Sequence, residues 1–186
     1  MKLTFAIIYV CWFISEVVLG RLRRSGDSEV KRDDRHSLTI IWIVIAVFMP
    51  MVSILPSFVS VPILHSTSIV YVGLCLIVVG MLLRFWAIRS LGRFFTVDVS
   101  IREGHTLKTD GLYAVVRHPS YFASWLSFIG YGLSLNNWLS LVIISATVLG
   151  AFLNRISVEE DVLISQFGEE YIRFRKSTKT IIPGIY

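Results

Sequence analysis

Hydrophobic and polar positions in this chain come in long blocks rather than in short alternation. Leu3 to Gly20 carries a single charge, Glu16, near its end. Ser37 to Phe58 carries none, although Pro50 and Pro56 are placed to kink or end a helix there. Thr67 to Leu83 is also uncharged. Each block is a candidate membrane span, since about 17–25 residues of helix cross the hydrocarbon of a bilayer. A polar stretch from Arg84 to His118 follows. Two shorter apolar runs, Tyr121–Leu135 and Trp138–Leu153, are parted only by Asn136-Asn137 and read as a helical hairpin that either tilts little or stops short of the far surface. The pattern predicts an all-α integral membrane protein with about five transmembrane helices. It forms one multi-pass domain over residues 1–186, with three N-terminal spans in 1–83 and the chemistry in 84–186.

Charge orients these helices. All but Lys2 of the 18 basic residues lie between spans one and two, between three and four, or after span five. With five spans, those three segments share one side of the membrane, and the positive-inside rule makes that side the cytoplasm. The N-terminus is then outside. The first run does not read as a cleavable signal, because its positive charges follow the apolar stretch and no small-x-small site ends it. Composition agrees: 54% hydrophobic and 17% charged residues compare with about 45–50% and 25% in soluble domains. A disordered chain is excluded. A disulfide-stapled secreted domain is excluded as well, since Cys11 and Cys75 both lie inside apolar runs. The net charge of +5 belongs to membrane-flanking loops rather than to a nucleic-acid surface.

Candidate chemistry sits in the cytoplasmic segments. Gly92 to Tyr121 reads GRFFTVDVSIREGHTLKTDGLYAVVRHPSY, with His105, Lys108, Tyr113, Arg117, His118 and Tyr121 able to donate hydrogen bonds between Gly104, Gly111 and Pro119. Such a segment suits a polar ligand with a flat ring, and equally a solvated connecting loop. After span five, Arg155 and Glu159 are four apart and share one helix face. As a plain surface pair they would contribute about 0.3–0.5 kcal/mol. Ile156, Leu163, Phe167, Tyr171 and Phe174 form the apolar stripe of an amphipathic C-terminal helix. Glu16 reads as an interface charge, with a pairing to Arg84 as the alternative, and Arg84 with Trp86 and Arg89 reads as snorkelling beside an aromatic belt. Cys11 and Cys75 read as buried small apolar residues. No histidines are spaced as metal ligands, so no metal is expected. No G-x-G-x-x-G follows a strand, so a nucleotide-like cofactor would need a pocket built from loops and helix ends.

Taken together, GHTLKTDGLYAVVRHPSY, the following Arg and Glu-Glu, then FGEEYIRFRKST and a near-terminal Pro resemble the isoprenylcysteine carboxyl methyltransferase family over roughly residues 84 to 183. The resemblance implies an integral-membrane, helical methyltransferase that uses S-adenosyl-L-methionine. It implies a cytoplasmic cofactor pocket lined by His105, Thr106, Leu107 and Lys108, several through backbone groups, and completed by Tyr113, His118, Pro119, Ser120 and Tyr121. Arg155 and Glu159 match the positions that meet the methyl acceptor. Lys108 departs from the aliphatic residue usual in the family, and Ser157-Val158 shorten the glutamate run.

The acceptor implied is a lipophilic carboxylate entering from the bilayer, foremost a C-terminal S-isoprenylcysteine α-carboxyl. Other lipid-like hydroxyl, amine or thiol acceptors are alternatives, and these would need a base such as Glu159, Glu160 or His118. A sterol-reductase-like NADPH oxidoreductase would call for clustered arginines beyond Arg173, Arg175 and Lys176. A non-catalytic membrane subunit or small transporter would call for polar residues at mid-depth in several spans. The host membrane is a bacterial inner membrane or the endoplasmic reticulum.

Overall fold

A computed structural model of the chain describes residues 2–22, 32–92, 95 and 106–186. Six α-helices account for most of it: α1 (Lys2–Leu22), α2 (Arg32–Ile54), α3 (Ser68–Leu91), α4 (Pro119–Ser134), α5 (Trp138–Phe167) and α6 (Glu169–Ser177). Among the described residues there is no strand, only an isolated parallel bridge between Val116 and Lys179. All five expected apolar helices are present. Three of them, His36–Ser57, Ser68–Leu91 and Trp138–Phe167, are long and apolar enough to cross a membrane by length and composition. The apolar part of α1, Leu3–Leu19, is shorter, as is the 16-residue α4.

Local sequence explains where the helices end. Pro50 is accommodated inside α2, but Pro56 falls in a 3-10 turn, Leu55–Ser57, that finishes that helix. Pro119 opens α4 at its first turn, where a missing N–H costs nothing. The Asn137 side chain accepts from Ser140 N and caps α5. Asn136 and Asn137 do more than turn the hairpin. Asn136 accepts from Ile63 N and Leu64 N and donates to Leu64 O, while Asn137 donates to Val59 O. They satisfy the backbone of the α2–α3 loop, which lies across the turn.

Two details differ from the sequence reading. α5 does not stop at Leu153 but runs on to Phe167, so Ile156 and Leu163 continue the fifth helix instead of opening a separate one. The chain breaks at Gly168, with φ +53° and ψ −126°, a region that glycine alone enters freely, and only then does α6 begin. Cys11 and Cys75 are exposed on the helix surfaces rather than buried. Both lie on apolar helices, where outward positions meet lipid as readily as protein.

The core joins Trp12 (α1), Val52 (α2), Leu74 and Ile77 (α3), Phe128 and Tyr131 (α4), and Ile144, Val148 and Phe152 (α5). α3 and α4 approach so closely that a Cβ built on Gly73 would lie 2.5 Å from Gly130 O and Ser134 N. Small residues at such a crossing let van der Waals contact replace the hydrophobic drive that lipid does not supply. α1 packs on α3 and α2 on α5. Between α1 and α2 runs a narrow groove lined by Trp12, Phe13, Glu16, Trp42, Ile45, Met49 and Phe128, too small to hold a ligand.

Candidate active site

Tyr121 stands two positions after Pro119 on α4 and faces α5. Its hydroxyl donates to Glu159 Oε2 at 2.9 Å, and it also interacts with the Arg155 side chain. Arg155 is 1% exposed and its Nη1 donates to Ser37 Oγ at 2.7 Å, tying α5 to the start of α2. Arg155 and Glu159 therefore share a face as the spacing predicts, but this is no surface pair. A charge so enclosed cannot be screened by water, and it persists only where partners hold it.

His118 precedes α4, buried, with one ring nitrogen toward each of two carboxylates. Nδ1 lies 3.8 Å from Glu159 Oε1 and Nε2 lies 3.3 Å from Glu160 Oε1. Its ring also meets that of Tyr121 edge-on, with centroids 5.8 Å apart. Tyr113, in the 3-10 turn Gly111–Ala114, is buried and donates to Ala87 O on α3 at 3.4 Å. Burial, and then the Glu159 charge, push the Tyr113 phenol above its ordinary value, so it stays a neutral donor. Tyr171 on α6 is shifted the same way, by burial and then by Glu160 and Glu159. Its buried hydroxyl lies against these carboxylates without a well-formed hydrogen bond.

Of the residues assigned to the cofactor, Tyr113, His118, Pro119 and Tyr121 come together here, with Ser120 half-buried beside them. Thr106, Leu107 and Lys108 lie on the irregular segment that leads into this cluster. Thr106 is exposed, and the half-buried Lys108 places Nζ 2.7 Å from the exposed Asp110, where its hydrogen bond lowers the Asp110 carboxyl below its usual value. The Lys108 side chain is thus engaged by Asp110. His105 lies outside the described residues. The sequence offered Arg117 only as one donor among several and Glu160 only as a possible base, and it did not single out Ser37 or the tail at Thr178–Thr180; these join the site through tertiary contacts.

Glu16 is a further correction. It does not sit alone at the interface: Oε2 pairs with Arg84 Nη2 at 3.2 Å, and Oε1 accepts from Ser124 Oγ at 3.3 Å. Arg84 accordingly forms an ion pair instead of merely snorkelling. Ser124 is three residues beyond Tyr121, so this pair forms a second charged layer about one helical turn, roughly 5 Å, deeper than the first.

The isoprenylcysteine carboxyl methyltransferase (ICMT) family model matches residues 71–165, half of the chain, and takes in α4 and the Arg155–Glu160 stretch of α5. The chain belongs to this family. The protein-S-isoprenylcysteine O-methyltransferase of Dictyostelium discoideum is 35% identical over 127 residues, which cover 67% of this chain and 54% of the relative. The same-named enzyme of Schizosaccharomyces pombe is 38% identical over 114 residues, 60% of this chain and 47% of the relative. The chain spans about half the length of the curated relatives it matches. A structure of the eukaryotic intramembrane Ras methyltransferase ICMT superposes with a TM-score of 0.63 at 27% identity, over 97% of this chain and 64% of that one. Membership and the membrane-length helices make the chain a multi-pass membrane protein of a methyltransferase family.

Proposed function

We propose that this chain transfers a methyl group from S-adenosyl-L-methionine to the carboxylate of a membrane-embedded lipophilic acceptor, foremost a C-terminal S-isoprenylcysteine α-carboxyl. The observation that carries the reading is the buried Arg155, set beside Tyr121 and Glu159 at the end of the bundle that also holds His118 and Tyr113. The family relationship supports it. The residues fit the donor's chemistry: Glu159 is a partly exposed carboxylate suited to a cation, aromatic rings at Tyr113 and Tyr121 suit a flat base or a sulfonium, and the buried Tyr171 hydroxyl is still without a well-formed bond. Bound there, S-adenosyl-L-methionine supplies a methyl group activated on a sulfonium.

The remaining chemistry belongs to the chain. A carboxylate acceptor is ionised at neutral pH and needs no general base. Arg155 holds it through a planar fork that fits two oxygens at once, and Ser37 and Tyr121 keep that fork in place. Glu159, anchored by Tyr121, favours positive charge across from it. The apolar layer below, Phe152 and Phe128, keeps water out, so alignment and electrostatics supply the rate. In this reading residues 84–186 are the catalytic region, and the positive-inside charges turn it to the cytoplasm.

Calorimetric titration of the detergent-purified protein with S-adenosyl-L-methionine, and separately with NADPH, tests the proposal. The expected result is saturable binding of the first only, lost in His118→Ala and kept in Arg155→Ala. Binding of NADPH alone would favour a reductase, and binding of neither by folded protein would remove the enzymatic reading.

A further inference from the structure

Arg117 lies next to His118 yet takes no part in the chemistry proposed above, although its side chain is extensively bonded. Its guanidinium is buried and used on every nitrogen. Nε donates to Glu160 Oε1 at 2.8 Å, Nη1 to Arg175 O at 3.1 Å and to Thr178 O, and Nη2 to Thr180 Oγ1 at 2.9 Å. The backbone repeats the connection: Arg117 N donates to Lys179 O at 2.8 Å and His118 N to Thr180 O at 3.0 Å. Residues 117 and 118 thus read the C-terminal tail with main chain and side chain together.

The other end of the network is the site. Glu160, which Arg117 grips through Oε1, presents the same oxygen to His118 Nε2, while its Oε2 lies 3.4 Å from Arg175 Nε. His118 Nδ1 in turn faces Glu159, whose second oxygen accepts from Tyr121. One continuous path leads from the tail carbonyls through Arg117, Glu160 and His118 to the Glu159–Tyr121 pair. Lysine could satisfy Glu160 but could not reach three tail acceptors in one plane as well.

We infer that Arg117 is a positioning residue that couples the seating of tail residues 178–180 to the orientation of His118, and so sets the affinity for the methyl donor. This rests on the methyltransferase reading. A role confined to holding the fold together would instead lower stability and leave the donor affinity of folded protein unchanged.

Two variants separate the possibilities. Arg117→Lys keeps the charge beside Glu160 and gives up the tail acceptors. Thr180→Val keeps the volume of the tail residue and removes only the oxygen that Arg117 Nη2 reads. For each, donor affinity is measured by calorimetry, donor and acceptor KM and kcat by methyl transfer to a farnesylated cysteine analogue, and the melting temperature in the same detergent. The expected result is a donor Kd and KM raised about tenfold in Arg117→Lys, and less in Thr180→Val, the scale of losing a hydrogen bond to a charged group. Acceptor KM and kcat at saturating donor stay within about twofold of wild type. Unchanged donor affinity in folded Thr180→Val and Arg117→Lys, with the wild type binding normally, overturns the inference alone. If Arg117→Lys does not fold, Thr180→Val decides. A wild type that binds no donor overturns the methyltransferase reading and this inference with it.

Discussion

Arg155 and Glu159 lie one helical turn apart on α5 and are predicted to fail differently when changed. Arg155→Lys retains charge but loses the fork, and acceptor turnover is expected to fall about 10- to 100-fold with donor affinity intact, because a buried bond to an ion contributes about 1.5–3 kcal/mol. Methyl-transfer kinetics with separate donor and acceptor titrations check this. Glu159→Gln is expected to weaken donor binding, since the amide no longer offers charge to a cation. The buried phenols give a pH signature. Tyr113 and Tyr171 are held protonated in the fold, so their contribution to stability is present below the ordinary phenol value of about 10 and is lost as pH rises above it. Melting temperature should therefore fall on the alkaline side, and Tyr171→Phe, which removes a hydroxyl without a well-formed bond, should flatten that fall without destabilising the protein at neutral pH.

Helix packing determines whether those side chains meet. Tyr121, Ser124 and Phe128 lie along one face of α4, and the closeness of α3 behind that helix depends on Gly73, Gly130 and their neighbours. A methyl group at Gly73 would meet Gly130 O and Ser134 N at 2.5 Å, backbone atoms that cannot step aside. Gly73→Ala is predicted to push α3 from α4 and lower stability by about 1–3 kcal/mol, the usual cost of overpacking. Gly150→Ala on α5, where a new Cβ would meet nothing within 4 Å, should leave the melting temperature unchanged or slightly raised.

Across the whole molecule, the Glu16–Arg84 pair ties α1 to α3, and Ser124 adds α4. Removing one charge strands the other in a low-dielectric layer, so Arg84→Met is predicted to cost about 3–5 kcal/mol. The double change Glu16→Gln with Arg84→Met should recover much of the loss, and detergent melts of the three variants check it. Hydrophobic length and local spacing are properties of neighbours along the chain, so the apolar blocks and the motif residues could be read before any fold was known. His118, Tyr121, Arg155 and Glu159 were legible for that reason. The extension of α5 past Leu153 was not, because Arg155, Glu159 and Glu160 read as the polar end of a span until partners from α2, α4 and the 117–118 segment are seen to receive them. Glu16 with Arg84, Ser37 with Arg155, and Arg117 with the tail were decided only by the tertiary structure. Each joins residues tens of positions apart, and a buried charge settles wherever packing brings it a partner.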